Sequence, residues 1–355
     1  MKDFQIGDRV FGYLNPYVIA EIGVNHEGSL SRAQALIESA ARGGAHAAKF
    51  QTYKAELLAA KHTSPAYWDQ TKERTSSQFE LFQRWDNFGD AEYQVLAQTC
   101  LDNGIDFMST PFDFEAADTL APMMPAIKIA SADITNVPLI RIVASKKKPM
   151  IISTGAATLD EVRTAVEIAR AAGATDITLL HCILNYPTSL ENAQLAQIDA
   201  LKAEFGGSCA IGYSDHVTPE PNGDVPALIA ATLLGSRVLE KHFTDDKNGV
   251  GNDHYHAVDE VDLARFTQDL ARLRAGYGDG LRDLTGQQQA ISNARRRIIA
   301  RHDLPVGHVV VETDLIPLRS NIGIEINHWD EVVGSAIVVA VEADHPVIWD
   351  NVRNS

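Results

Sequence analysis

Two lysines stand inside otherwise apolar segments, Lys49 in AAKFQ and Lys128 in AIKIA. A buried ammonium is costly unless it is paired or meets an anion. One reading is an anion site for phosphate and carboxylate, assisted by nearby Ser and Thr hydroxyls. The other is that each lysine pairs with a neighbouring carboxylate such as Glu21. Two lysines beside several hydroxyl-bearing segments favour the anion site. His216 in SDH and His242 in EKH end two further apolar segments. Neutral imidazole is a common ligand of divalent metals. Two histidines leave positions for substrate oxygens and water, which suits a Lewis acid such as Mn²⁺, Mg²⁺ or Zn²⁺. Two separately hydrogen-bonded histidines are the alternative. His181, His254 and His256 are weaker candidates as ligands, and Cys182 reads as a packing residue.

These residues share a position in their elements. Short apolar runs alternate with amphipathic stretches from Tyr17 to Gly276: YVIAEI, AAKFQ, IDFMS, AIKIA, MIIST, ITLLH, AIGYS and VLEKH. Eight such runs, each followed by helical periodicity, predict a (β/α)₈ TIM barrel rather than a doubly wound open sheet, which would carry a glycine-rich first turn. Gly43, Gly104 and Gly173 fall where helices should stop. The active site of such a barrel lies at the C-terminal ends of its strands. There the sequence concentrates Glu21 and NHEG, Lys49 and Gln51, Ser109 and Thr110, and Lys128, Ser131 and Asp133. The later strands add Ser153 and Thr154, His181 with Asn185 and Tyr186, Ser214 to His216, and Glu240 to His242.

After Tyr277 the texture changes. Residues 278–293 are polar, glycine-bearing and without apolar periodicity, and read as a linker between a barrel domain of residues 1–277 and a small all-β domain of residues 294–355. The net charge of −16 excludes non-specific binding to nucleic acid. No apolar run is long enough to span a membrane, and the N-terminus lacks the apolar core of a signal peptide. Three cysteines give no disulfide framework and fit a cytoplasmic protein.

In order, AEIGVNHEGSL, AAKFQTY, STPFD, KIAS, ISTG, LLHC with NYPT, GYSDH and EKHFT resemble the sialic acid synthase family. The all-β domain resembles the antifreeze-like domain that ends those synthases. The resemblance runs from Tyr17 to about Val352. It implies condensation of phosphoenolpyruvate with an acylated mannosamine-type sugar, giving a nine-carbon 2-keto acid and phosphate. It implies that Lys49, Thr110, Lys128, Ser131, Ser153 and Ser214 hold phosphoenolpyruvate and that His216 and His242 bind the metal, Mn²⁺ or Mg²⁺. Glu21, Gln51, Tyr186 and Asp253 would face the sugar. Arg319 would reach the sugar's acyl group in the barrel of a partner subunit, within a domain-swapped homodimer. Glu21 or Asp133 would handle the attacking water, and Lys128 would meet the charge of the leaving phosphate.

Several positions depart from the family pattern. SAD replaces the usual SGE, which makes Asp133 one methylene shorter. Leu184 stands where an asparagine is expected, with Asn185 beside it. Ser320 and Asn321 follow Arg319 in place of Pro-Gly. The loop from Gly251 to Val258 carries two histidines not expected there. These departures lie toward the sugar end or the rim and point away from plain N-acetylmannosamine. Two other functions remain open to the residues alone. One is a phosphoenolpyruvate-dependent synthase of a shorter 3-deoxy sugar acid, which would not need the terminal domain. The other is a non-catalytic polysaccharide-binding protein built on a degenerate barrel.

Overall fold

The computed structural model describes residues 1–62, 64, 74–249, 251 and 253–353. Asn252 of the histidine-bearing loop, and Asn354 and Ser355 at the end of the all-β domain, lie outside the described residues. The chain forms two compact units, Met1–Tyr277 and Gly278–Ser355.

The first unit opens with a hairpin of β1 (Phe4–Ile6) and β2 (Arg9–Phe11). Eight parallel strands follow: β3 (Tyr17–Gly23), β4 (Ala47–Thr52), β5 (Asp106–Pro111), β6 (Ile127–Ile129), β7 (Met150–Ser153), β8 (Ile177–His181), β9 (Ala210–Asp215) and β10 (Val238–His242). They pair in the order β5-β4-β3-β10-β9-β8-β7-β6, and β5 adjoins β6 across the remaining seam. The result is the nearly closed (β/α)₈ barrel that the periodicity predicts, with all eight runs as strands.

Strand side chains alternate with period two, and that period sorts the barrel. Val18, Ala20, Ile22, Phe50, Ile127, Ile129 and Leu239 face the helices and join the large outer core. Tyr17, Ile19, Ala47, Met108, Ala126, Ile151, Leu180, Ala210 and Val238 face inward and form a second core with Phe4, Ile6 and Phe11. The hairpin therefore closes the lower end of the barrel with apolar side chains. Continuing each inward row toward the C-terminal end gives Glu21, Lys49, Thr110, Lys128, Ser153, Ser214, Glu240 and His242. The same pleat that builds the apolar floor aims the polar set into the mouth. Gly212 is required on the inner face of β9, because a Cβ there would meet the Val238 carbonyl at 2.3 Å and Leu180 at 2.5 Å.

Helix ends follow their caps. Ser29 caps Leu30–Arg42, and Thr158 with Glu161 forms a capping box on Leu159–Ala171. Gly104 and Gly173 take the left-handed conformation after their helices, at φ 71° and 107°. At the first helix Gly43 stays right-handed and Gly44, at φ 88°, makes the turn.

In the second unit, β11 (Arg296–Ala300) pairs antiparallel with β12 (Leu315–Arg319), and β13 (Ala336–Ile337) with β14 (Val352–Arg353). Ile298, Ala300, Val310, Leu315, Ile337 and Val347 belong to its core. The segment read as a linker has local structure of its own. It carries a short turn at Thr285–Gln287 and a two-turn helix, Gln288–Ala294, with no buried residue. Polar Gln and Asn form a solvated helix without the apolar stripe by which periodicity is recognised.

Candidate active site

The barrel mouth holds a cavity of about 470 Å³. Of the residues singled out in the sequence, Glu21, Lys49, Gln51, Thr110, Lys128, Ser131, Asp133, Ser153, Tyr186, Ser214, His216, His242 and Asp253 line it. Asn185 does not; its side of the loop is exposed, and its carbonyl accepts from Thr188. Arg319 is the exposed last residue of β12, opposite Arg296.

Strand register assembles the charged centre. Glu21 is in register with Lys49 on one side and His242 on the other, and Glu240 with Ser214. Lys49 Nζ lies 2.6 Å from Glu21 Oε2 and 3.5 Å from Glu240 Oε2, and it donates to Thr110 Oγ1 at 3.0 Å. Lys128 Nζ lies 3.8 Å from Glu240 Oε1 and donates to Ser153 Oγ at 2.7 Å. Ser214 Oγ donates to Glu240 Oε1 at 2.8 Å, and Gln51 donates to Glu21 at 3.0 Å. Both readings of the lysines thus describe one place: they are ion-paired, and they line the cavity.

Two lysines and two carboxylates share this buried cluster, and the carboxylates respond differently. Burial opposes ionisation of Glu240, but Lys128 and Lys49 outweigh it and bring its pKa down to about 2. Burial raises Glu21 despite Lys49, and the charge on Glu240 adds to the rise. Burial lowers Lys128, with Glu240 acting against it. Lys49 is raised, because Glu21 and Glu240 overcome the effect of burial. Neighbouring carboxylates pushed in opposite directions are the usual basis of an acid–base division of labour. Asp133, at the opposite rim, is raised by burial and accepts from Asn136 at 3.0 Å.

Three imidazoles gather around Tyr186. Its ring centroid lies 4.2 Å from that of His216, 6.0 Å from His242 and 5.6 Å from His256. His216 Nδ1 is 2.7 Å from the Ile183 carbonyl, which makes it the donor and leaves Nε2 as the basic nitrogen. Burial brings His216 to about 4, and burial with the His256 and His216 rings holds His242 well below its ordinary value. Both are therefore neutral near pH 7, the form that binds metal. Ligand atoms of His242, Asp253 and His256 lie within 4.8 Å of one another. The Asp253 carboxylate is 3.7 Å from His242 Nδ1 and 4.0 Å from His256 Nε2. The His242 Nδ1 atom is buried and makes no hydrogen bond among the described residues. These donors fit a divalent cation.

Sequence reasoning assigned no role to Glu240, the carboxylate shared by both lysines. Its parity with His242 along β10 was the available signal. Asp253 and His256 form a compact group of donor atoms with His242, and the His216 ring centroid lies 5.5 Å from that of His242. His181 points away from the cavity, with Nε2 2.8 Å from the Ala193 carbonyl. His254 braces the rim, 2.7 Å from Thr244 Oγ1 and 3.2 Å from Glu27 Oε1.

The fold and the site define a (β/α)₈ barrel whose polar chemistry is confined to the C-terminal mouth, followed by a small antiparallel domain. The chain belongs to the NeuB family, whose model matches residues 36–282, and residues 295–353 match the SAF domain. It is similar to the N,N'-diacetyllegionaminic acid synthase of Legionella pneumophila, 35% identical over 95% of this chain and 94% of that one. Among solved structures it resembles the spore coat polysaccharide biosynthesis protein spsE of Bacillus subtilis, at 30% identity and TM-score 0.64 over 100% of both chains. It also resembles the N-acetylneuraminic acid synthetase of Leptospira borgpetersenii, solved with citrate. That likeness has 29% identity and TM-score 0.68 over 82% of this chain and 95% of that one. Among the described residues, no helix is long and apolar enough to cross a membrane.

Proposed function

We propose that the protein condenses phosphoenolpyruvate with an N-acylated mannosamine-type sugar, yielding a nonulosonic acid and phosphate. The observation that carries this reading is the buried lysine–carboxylate cluster beside a histidine group in one cavity. In this reading the phosphate and carboxylate of phosphoenolpyruvate take over Lys49 and Lys128, with Thr110, Ser131, Ser153 and Ser214 donating hydroxyls. The sugar occupies the side lined by Gln51, Asp133, Tyr186 and Asp253, with Asn185 at the rim. C3 of phosphoenolpyruvate bonds to C1 of the open-chain sugar aldehyde, and positioning supplies much of the rate. Water adds at C2, oriented or deprotonated by Glu21 or Asp133. The C2–O bond to phosphate then breaks, and the lysines meet the charge that leaves. A divalent ion, Mn²⁺ or Mg²⁺ in the first instance, supplies Lewis-acid polarisation of the aldehyde oxygen when bound. His216 and His242 would hold it, with Asp253 beside them.

The likeness to a diacetyllegionaminic acid synthase, together with Asp133 and Leu184, supports a 6-deoxy diacetamido sugar over N-acetylmannosamine. Three buried free cysteines, Cys100, Cys182 and Cys209, suit a reducing cytoplasm. The terminal domain, residues 294–355, is assigned to the barrel of a second copy, to which Arg319 offers its guanidinium in a domain-swapped homodimer. The test is phosphate release from phosphoenolpyruvate by the purified protein with a panel of aldoses. Release that depends on an acylated amino sugar is expected. Release only with shorter aldose phosphates, or with none of the panel, would sink the reading.

A further inference from the structure

Residues 253–258 of the histidine-bearing loop are braced against the end of β10. Phe243 and Val258 form an isolated parallel bridge, and Val258 N–H donates to the His242 carbonyl at 2.8 Å. Ala257 N–H closes a turn on the His254 carbonyl at 3.2 Å, and His254 is itself held by Thr244 and Glu27. This bracing sets Asp253 and His256 against the end of β10. His256 is fully buried, its ring centroid 4.7 Å from that of His242 and 6.1 Å from that of His216.

We propose that His256 is a metal ligand, which with His242 and Asp253 makes a nitrogen-rich site that takes a first-row transition cation in preference to Mg²⁺. The inference rests on the proposed reaction only for the presence of a metal. Donor atoms of the three side chains already lie within 4.8 Å of one another. A cation bound at about 2.1 Å needs donors no more than about 4.2 Å apart, so small rotations of the rings and carboxylate complete the set. One Asp253 oxygen lies 3.7 Å from His242 Nδ1 and the other 4.0 Å from His256 Nε2, so a single carboxylate stands near both imidazoles. Mg²⁺ prefers oxygen donors and retained water, whereas imidazole favours the later first-row ions. A second histidine on this loop therefore changes which ion the site selects.

The experiment titrates metal-stripped, full-length protein with Co²⁺ and follows its visible absorption, comparing wild type with His256→Ala and His256→Gln. The apo proteins are melted in parallel to establish folding. Both variants should bind Co²⁺ at least about tenfold more weakly, a loss no smaller than that of an outer-shell partner. They should also give a changed Co²⁺ spectrum and a smaller preference for Co²⁺ over Mg²⁺. A spectrum identical to wild type overturns the inference whatever the affinity. If the variants do not fold, anomalous diffraction from Co²⁺-soaked wild-type crystals decides. An ion about 2.0–2.2 Å from a His256 nitrogen is expected, and one beyond about 3 Å overturns the assignment. Phosphate release is measured on the same preparations. Co²⁺ bound through His256 without phosphate release would remove the proposed reaction and leave the metal site. Release with an unchanged variant spectrum would do the reverse.

Discussion

Lys128 Nζ and Glu240 Oε1 stand 3.8 Å apart, too far for a hydrogen bond yet close enough for strong pairing in a buried site. Glu240 also lies 3.5 Å from Lys49, whose nearer partner is Glu21 at 2.6 Å, so one carboxylate reaches both ammonium groups. Replacing it as Glu240→Gln leaves buried positive charge uncompensated. A loss of roughly 3–5 kcal/mol is expected for removing one partner of a buried pair. The denaturant midpoint measures it, and added phosphate should recover more stability in the variant than in wild type.

Lys128→Ala removes a charge-assisted contact to phosphoenolpyruvate in the proposed reaction. It should cost roughly 1.5–3 kcal/mol of transition-state or ground-state binding. Steady-state kinetics in phosphoenolpyruvate read the change as a fall in kcat/KM. Unchanged kinetics would make Lys128 a structural cation only.

Acid should destabilise the barrel through its buried histidines. His26 accepts from Gly28 N–H at 3.1 Å, stacks on Phe88 at 4.4 Å, and is brought to about 4 by burial and by the Arg32 charge. Its folded value is below the unfolded one. Its contribution is therefore present above about pH 6.5 and lost as pH falls from there through about 4, on the order of 3 kcal/mol. His26→Phe should flatten stability against pH across that window. An unchanged slope would contradict the assignment.

The sugar preference is tested by competition. A 6-deoxy diacetamido mannose-type substrate should give higher kcat/KM than N-acetylmannosamine, and Asp133→Glu with Leu184→Asn should narrow the gap. Equal or better turnover of N-acetylmannosamine by wild type would refute the preference.

The domain-swapped dimer predicts complementation. Subunits carrying His216→Ala and subunits carrying Arg319→Ala are mixed under conditions that allow exchange. A swapped heterodimer collects both lesions in one site and leaves the other intact, so activity should partly return. If Arg319→Ala is itself impaired, the heterodimer forms and no activity returns, Arg319 serves its own barrel.

By itself the sequence determined the barrel and most of its polar lining. Period two in eight apolar runs set which side chains face inward, and the C-terminal position of Lys49, Lys128, Ser153 and His242 put them in the mouth. Local pattern carries that information because a strand's pleat is a local property. It did not reveal that Glu240 serves both lysines, since β4, β6 and β10 meet only when the sheet closes. Nor did it rank His256 above His181. His181 ends an apolar strand and His256 follows a short polar loop, yet the His256 loop turns back along β10 toward His242 while His181 faces the Ala193 carbonyl. Only the tertiary structure decided those pairings. Which charges share a buried site, and which histidine meets a carboxylate, depends on distances between segments far apart in the chain, and no periodicity encodes them.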